Sequence, residues 1–144
     1  LEDGTVLAES NAILFFLAEG TAFWPTDRLA RAQTLQWMFF EQYSHEPYVA
    51  TPRFILRHLP EDSSRRSELP DRLEKGRDAL RVMDSHLKSR SFFVGERYSI
   101  ADIALYAYTH VAHEAGHNLA PYPSVRTWLR RVTEQPRHIP ITQG

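Results

Sequence analysis

The segment Phe92–Gly116, FFVGERYSIADIALYAYTHVAHEAG, decides the fold. Ser99 and Asp102 stand three residues apart at the head of an apolar run. At that spacing each side chain satisfies the other's backbone amide at a helix N-terminus, here with Asp in place of the usual Glu. Tyr98 and Ile103 are placed as the matching hydrophobic staple. Ile100, Ile103, Ala104, Ala107, Val111 and Ala115 then recur at helical spacing, which predicts one apolar stripe.

Working outward, the same signals repeat. Downstream, Ser124 is the expected cap of a final helix that carries Val125, Trp128, Leu129 and Val132 and stops at Pro136. Upstream, Leu73, Leu80, Met83 and Leu87 share one face of a long helix from about Pro70 to Lys88. Before it, LPEDSSRRSELP (Leu59–Pro70) reads as a loop in which Arg65 and Arg66 are expected to be solvated charges. From Arg28, capped by Asp27, a helical pattern places Leu29, Leu35, Met38 and Phe39 on one broad face, and Pro47 and Pro52 are expected to bend or break it. Trp37 and Trp128 are expected as core or interface anchors. ESNAILFFLAEG (Glu9–Gly20) predicts a short helix capped by Ser10, with Ile13, Leu14 and Leu17 spaced along it and Gly20 ending it. In front, Asp3-Gly4 and TVLAES predict the turn and second strand of a β-hairpin. The first strand would lie before Leu1, so the chain reads as the later part of a longer protein.

Composition sets the outer bounds. The 144 residues are 42% hydrophobic and 24% charged, enough for one globular domain with a core. A net charge of -1 demands neither a nucleic-acid nor an anionic-membrane partner. The absence of cysteine excludes disulfides, a thiol nucleophile in this chain and cysteine-ligated zinc, and agrees with a cytoplasmic location. The longest apolar run, Ala12–Ala18, is far short of the roughly 20 residues that span a bilayer.

Two short motifs carry possible chemistry. His113-Glu114-Ala115-Gly116-His117 matches the zinc-peptidase pattern, in which two histidines one helical turn apart converge on a metal and the glutamate acts on its bound water. Gly116 between the histidines, with Pro121 and Pro123 following, instead predicts a helix end with His117 beyond it. Glu134 and His138, the available downstream third ligands, have no supporting pattern, so a zinc hydrolase is the remote alternative. Glu9 and Ser10, in LAESNAI, sit where a strand would meet a helix. Free amides and the positive end of the helix dipole hold a carboxylate there, the Ser10 hydroxyl adds to that grip, and Glu9 accepts from an ammonium. The pair therefore suits an α-amino acid end, although a serine cap beside an exposed glutamate gives the same letters.

EDGTVLAESNAILFFLAEGT resembles the end of the thioredoxin-like domain of the glutathione transferases, FVGERYSIADIALYAY the capping-box helix of that family's second, all-helical domain, and GHNLAPYPSVRTWLRRV its closing helix. LQWMFFEQYSHEPYVA resembles the first long helix of the helical domain in bacterial members. The resemblance implies a mostly α fold: residues 1–20 a remnant of the thioredoxin-like glutathione-binding domain, 21–27 the linker, and 28–144 the all-helical domain. It implies that Glu9 and Ser10 bind the γ-glutamyl end of glutathione as co-substrate, and that no metal is needed. The family's activating Tyr, Ser or Cys, and its cis-proline loop, have no counterpart in this chain. Ser99 and Asp102 match positions that cap and fold.

Some bacterial members place a polar side chain, His among them, near the glutathione sulfur, which nominates Tyr43 and His45 as pocket-lining residues; alternatively Phe39, Phe40 and Tyr43 pack the core while His45 is solvated. The implied activity is attack of the glutathione thiolate on a small hydrophobic electrophile, in a cytoplasmic homodimer. The rival reading is a non-catalytic binding or assembly module of the same helical type.

Overall fold

The computed structural model describes residues 1–139; residues 140–144, the end of the expected helical domain, lie outside the described residues. The elements are α1 (Ser10–Ala18), α2 (Arg28–Phe40), α3 (Glu46–His58), α4 (Leu69–Leu87), α5 (Ile100–Thr109) and α6 (Pro123–Thr133). A wide π-turn at Glu41–His45 joins α2 to α3, and short tight helical turns occupy Ser64–Glu68 and Ala112–Ala115. None of the helices among the described residues is long and apolar enough to cross a membrane.

The expected strand is not formed. The Gly4 amide closes a turn onto Leu1 O at 3.0 Å, with Gly4 at φ 82°. Thr5–Ala8 has no regular structure, because a strand exists only through the ladder it makes with a neighbour, and none pairs with it among the described residues. The fold is all-helical, and among the described residues β-pairing is limited to an isolated bridge between Val94 and Arg97.

Asp27 caps α2 as expected, its carboxylate accepting from Ala30 N at 2.9 Å. The face of α2 differs from the expected one: Thr34, Trp37 and Met38 are buried, while Leu29 and Phe39 are 65% and 69% exposed. Neither proline ends the helical run. Pro47 falls in the first turn of α3, where its missing donor is harmless, and the π-turn absorbs the change of register ahead of it. Pro52 lies inside α3 and is buried. Lacking an N–H, it leaves the carbonyl of Tyr48, four residues earlier, without its helical donor. His117 supplies the replacement: its Nε2–H donates to Tyr48 O at 2.9 Å. Gly76 of α4 makes room for this join, since a Cβ there would overlap His117 Cε1 and sit 2.6 Å from Tyr48 O.

Helix α5 occupies the centre, packed against α1, α2, α3 and α6. Its burial is broader than a stripe: Ile100, Ala101, Asp102, Ala104, Leu105, Tyr106 and Thr109 are all buried. The capping box forms, and Asp102 does more than cap. One carboxylate oxygen accepts from the Ser99 amide (2.9 Å) and hydroxyl (3.0 Å). The other accepts from the Phe93 amide (3.0 Å) and from Trp128 Nε1 of α6 (2.9 Å). Burial pushes this carboxyl above its ordinary range, and the four hydrogen bonds pull it back. Helix α6 is capped by Asp84 of α4 and not by Ser124: the Asp84 carboxylate accepts from the Ser124 and Val125 amides at 2.7 and 3.2 Å. A carboxylate at that end also opposes the positive helix dipole.

The main core joins Trp37, Leu80, Met83, Leu87, Phe93, Leu105, Val125, Trp128 and Val132. Trp37 and Trp128 are thus core residues. A second cluster of Ala18, Trp24, Met38 and Ile100, with Leu14, Leu35 and Ile103 against it, fastens α1 and the following segment to α2 and α5. The Ile100 amide also donates to Phe23 O at 3.2 Å. The spacing of α1 is only partly realised, because Leu17 is 65% exposed and Ile13 38%.

Candidate functional site

Glu9 is the residue before α1, and its backbone is held at φ 69°, ψ 117°. A non-glycine residue in that region is strained, and such strain persists only where surrounding structure enforces it. Ser10 is the first residue of the helix and not its cap; no side chain caps α1. The first amides of the helix therefore lack internal acceptors, as at any open N-terminus. The Ser10 hydroxyl makes no hydrogen bond among the described residues, and both Glu9 and Ser10 are exposed.

Asn11 ties this end of α1 to the π-turn. Its Nδ2 donates to Met38 O at 3.1 Å and to Glu41 Oε2 at 3.0 Å, and Gln42 Nε2 donates to the same oxygen at 2.9 Å. Glu41 is buried, and burial holds its carboxyl above the ordinary carboxylate value. Neither residue has a local sequence signal, because the contact spans 30 residues.

The two residues nominated for the pocket wall lie in different surroundings. Tyr43 is 84% exposed. His45 is fully buried in the π-turn, so neither the pocket-lining nor the solvated reading describes it. The Thr109 hydroxyl gives its proton to Leu105 O at 2.6 Å, so it accepts from His45 Nε2–H at 2.8 Å. This fixes the tautomer and leaves Nδ1 buried without a partner. Burial, with the nearby His117 adding to it, pushes the imidazole down to about 3.

That shift has a definite sign. His45 stays neutral in the fold but titrates near 6.5 when unfolded, so its contribution is present above that pH and lost as pH falls toward 3. The stability measured by urea denaturation is expected to drop by roughly 1 kcal/mol per pH unit below pH 6.5 on account of this group. His117, also lowered by burial, acts in the same direction, while the raised Glu41 offsets part of the loss at the acid end. A His45→Gln variant should show a shallower slope between pH 6.5 and 4.5, whatever its absolute stability; an unchanged slope would mean that His45 is charged in the fold.

In the HEAGH segment, Glu114, Gly116 and His117 have structural roles. Gly116 adopts φ 88° and ends the turn at Ala112–Ala115, so His113 and His117 do not stand one turn apart on a continuous helix. His113 is exposed, and His117 is turned inward to Tyr48 O. Glu114 accepts from Arg53 at 2.6 Å and lies 3.2 Å from Arg57, and the Arg53 hydrogen bond holds its carboxyl below the ordinary value. The geometry of a zinc-bound helix pair is overturned by these contacts.

Two cavities border the start of α1. Glu9 borders an apolar groove of about 480 Å³ with Leu7, Phe15, Phe16 and Phe39. Ser10 opens on the other side into a cavity of about 390 Å³ with Asn11, Glu41, Ile103 and Tyr108. Tyr108 also walls a polar cavity of about 300 Å³ farther along α3. The profile of the family described as "Glutathione S-transferase, C-terminal domain" matches residues 37–136. The chain belongs to the glutathione S-transferase family. The fold of a glutathione S-transferase from Pseudomonas fluorescens [Pf-5] is similar at a TM-score of 0.91 and 56% identity, covering 97% of this chain and 70% of that one. A glutathione transferase from Pseudomonas putida, solved with one glutathione disulfide bound per subunit, is similar at a TM-score of 0.77 and 30% identity over 90% of this chain and 59% of that one. Among curated relatives, Elongation factor 1-gamma of Artemia salina is 36% identical over 142 residues. The chain spans 31% of the length of that relative and covers 92% of itself in the match.

Proposed function

We propose that this chain supplies half of a glutathione site and the helical wall of the electrophile pocket to a glutathione-conjugating enzyme. The observation that carries this reading is Glu9, strained at φ 69° immediately before an uncapped helix whose first residue is Ser10. A carboxylate next in sequence to the free amides of α1 is the pairing that an amino acid's ammonium and carboxylate require, and strain held at Glu9 supports a role for that backbone. Glutathione's γ-glutamyl end has both groups. Its carboxylate takes the amides and the Ser10 hydroxyl, and its ammonium takes Glu9. The thiolate then attacks a small electrophile beside the helical domain, and the group that activates the thiol lies outside this chain. The apolar groove of Leu7, Phe15, Phe16 and Phe39 supports the homodimer, since an exposed face of that kind is a contact surface.

The similarity to an elongation-factor subunit favours a second reading, a non-catalytic assembly module. Calorimetric titration of glutathione into the protein as its gene encodes it separates the two. The Glu9→Ala, Ser10→Ala double variant is expected to weaken binding at least about tenfold, as the loss of charge-assisted hydrogen bonds implies. Equal affinity in the two proteins would remove the site assignment and leave the module.

A further inference from the structure

The cavity on the far side of Tyr108 differs in character from the one that holds Ser10. Its lining sets Ala50, Phe54 and the Tyr108 ring beside Arg53 and Arg65, with a single lining carboxylate, Glu46. Both arginines belong to clusters with more cations than anions. Glu114 is shared by Arg53 at 2.6 Å and Arg57 at 3.2 Å. Glu68 is shared by Arg65 at 3.0 Å and Arg72 at 2.7 Å. Each carboxylate thus holds two guanidiniums, and each cluster keeps one uncompensated positive charge. Arg53 engages Glu114 through Nε alone, and its terminal nitrogens make no hydrogen bond among the described residues. Arg65 uses Nε and Nη2 on Glu68, leaving Nη1. The planar donor pair of Arg53 suits a carboxylate, and Arg65 Nη1 adds one further donor. Tyr108 lines both cavities, so the cationic slot and the chamber that begins at Ser10 lie on either side of one side chain.

Resting on the glutathione grip proposed above, we infer that the electrophile is an anion: a carboxylate on an apolar or aromatic body, its charge held by Arg53 and Arg65 and its ring lying along Tyr108 and Phe54. The slot selects the substrate by charge, while the reacting carbon points back toward Ser10 and the thiolate.

A matched pair of probes tests this, chloronitrobenzoate and its methyl ester. In both, the glutathione sulfur bonds to the ring carbon bearing chlorine, the C–Cl bond breaks, and chloride leaves with the electron pair, the thiol proton having gone to solvent. The acid is expected to exceed the ester in kcat/KM by about tenfold or more, the worth of one charge-assisted contact. Arg65→Gln should bring the ratio toward one, mainly through KM for the acid, and Arg65→Lys should keep most of the preference. Arg53→Gln is expected to behave like Arg65→Gln, with its melting temperature as the control for loss of the Glu114 pair. Direct calorimetry with nitrobenzoate, which cannot react, reads the slot without turnover. If glutathione binds and the ester is used as well as the acid, or nitrobenzoate does not bind, this inference fails alone. If glutathione does not bind, the reading beneath it fails too.

Discussion

Gly76→Ala is expected to destabilise the protein by about 3 kcal/mol or more, although alanine in place of glycine inside a helix ordinarily stabilises by about 1 kcal/mol. The sign reverses because the new methyl group has no space. It would overlap the His117 ring and sit 2.6 Å from the Tyr48 carbonyl oxygen, and the latter is backbone that cannot swing aside. Displacing His117 would strip the Tyr48 carbonyl of the donor that replaces the one Pro52 lacks, leaving an acceptor unsatisfied between α3 and α4. Urea denaturation of the variant checks this. His117→Ala in the same background should rescue only part of the loss, because the Tyr48 contact remains. A Gly76→Ala protein as stable as the parent would show that α3 and α4 separate at little cost, and would undo this account of the HEAGH histidine.

The second large effect is expected at Asp102. Removing its carboxylate in Asp102→Ala leaves the Phe93 and Ser99 amides, the Ser99 hydroxyl and the Trp128 indole N–H without their acceptor in a site that is 0% exposed. An unsatisfied buried donor costs about 1–3 kcal/mol, so even with partial relaxation the loss should reach about 4 kcal/mol, a large part of a domain's total stability. Asp102→Asn keeps one acceptor oxygen but turns an N–H₂ toward donors, so it should fall between the two. The order parent, Asn, Ala in chemical denaturation is the expected result. An alanine variant within 1 kcal/mol of the parent would mean that water enters and replaces the carboxylate.

These two residues also show how far the sequence could be read. The Ser99–Asp102 box was legible because its members are three residues apart, and Gly116 because a left-handed helix end leaves a local signature. The third partner of Asp102, Trp128, lies 26 residues away, and the Asp84 carboxylate that caps α6 lies 40 residues before Ser124. Spacing along the chain carries no trace of either contact, so Ser124 offered itself as the cap by default. The same holds at the site. Glu9 and Ser10 were visible as a pair at a helix start, but the strain at Glu9 and the buried Glu41 that fastens Asn11 depend on packing. The burial of His45 was not legible because its nomination rested on the resemblance, and the π-turn that encloses it leaves no mark in residue spacing.

That wide turn has a consequence for comparing this chain with its relatives. A π-turn amounts to one residue more than an α-helix needs over the same rise, so it acts as a single-residue insertion absorbed without a loop. Everything after it, from Glu46 onward, is rotated by about 100° relative to an uninterrupted helix. A relative that lacks the extra residue would point a different set of side chains at Thr109 and Tyr108, although an ungapped alignment would pair the letters. Family members that share this fold therefore need not share the residue opposite Tyr108, and a one-residue difference between Glu41 and His45 is enough to redirect the whole of α3.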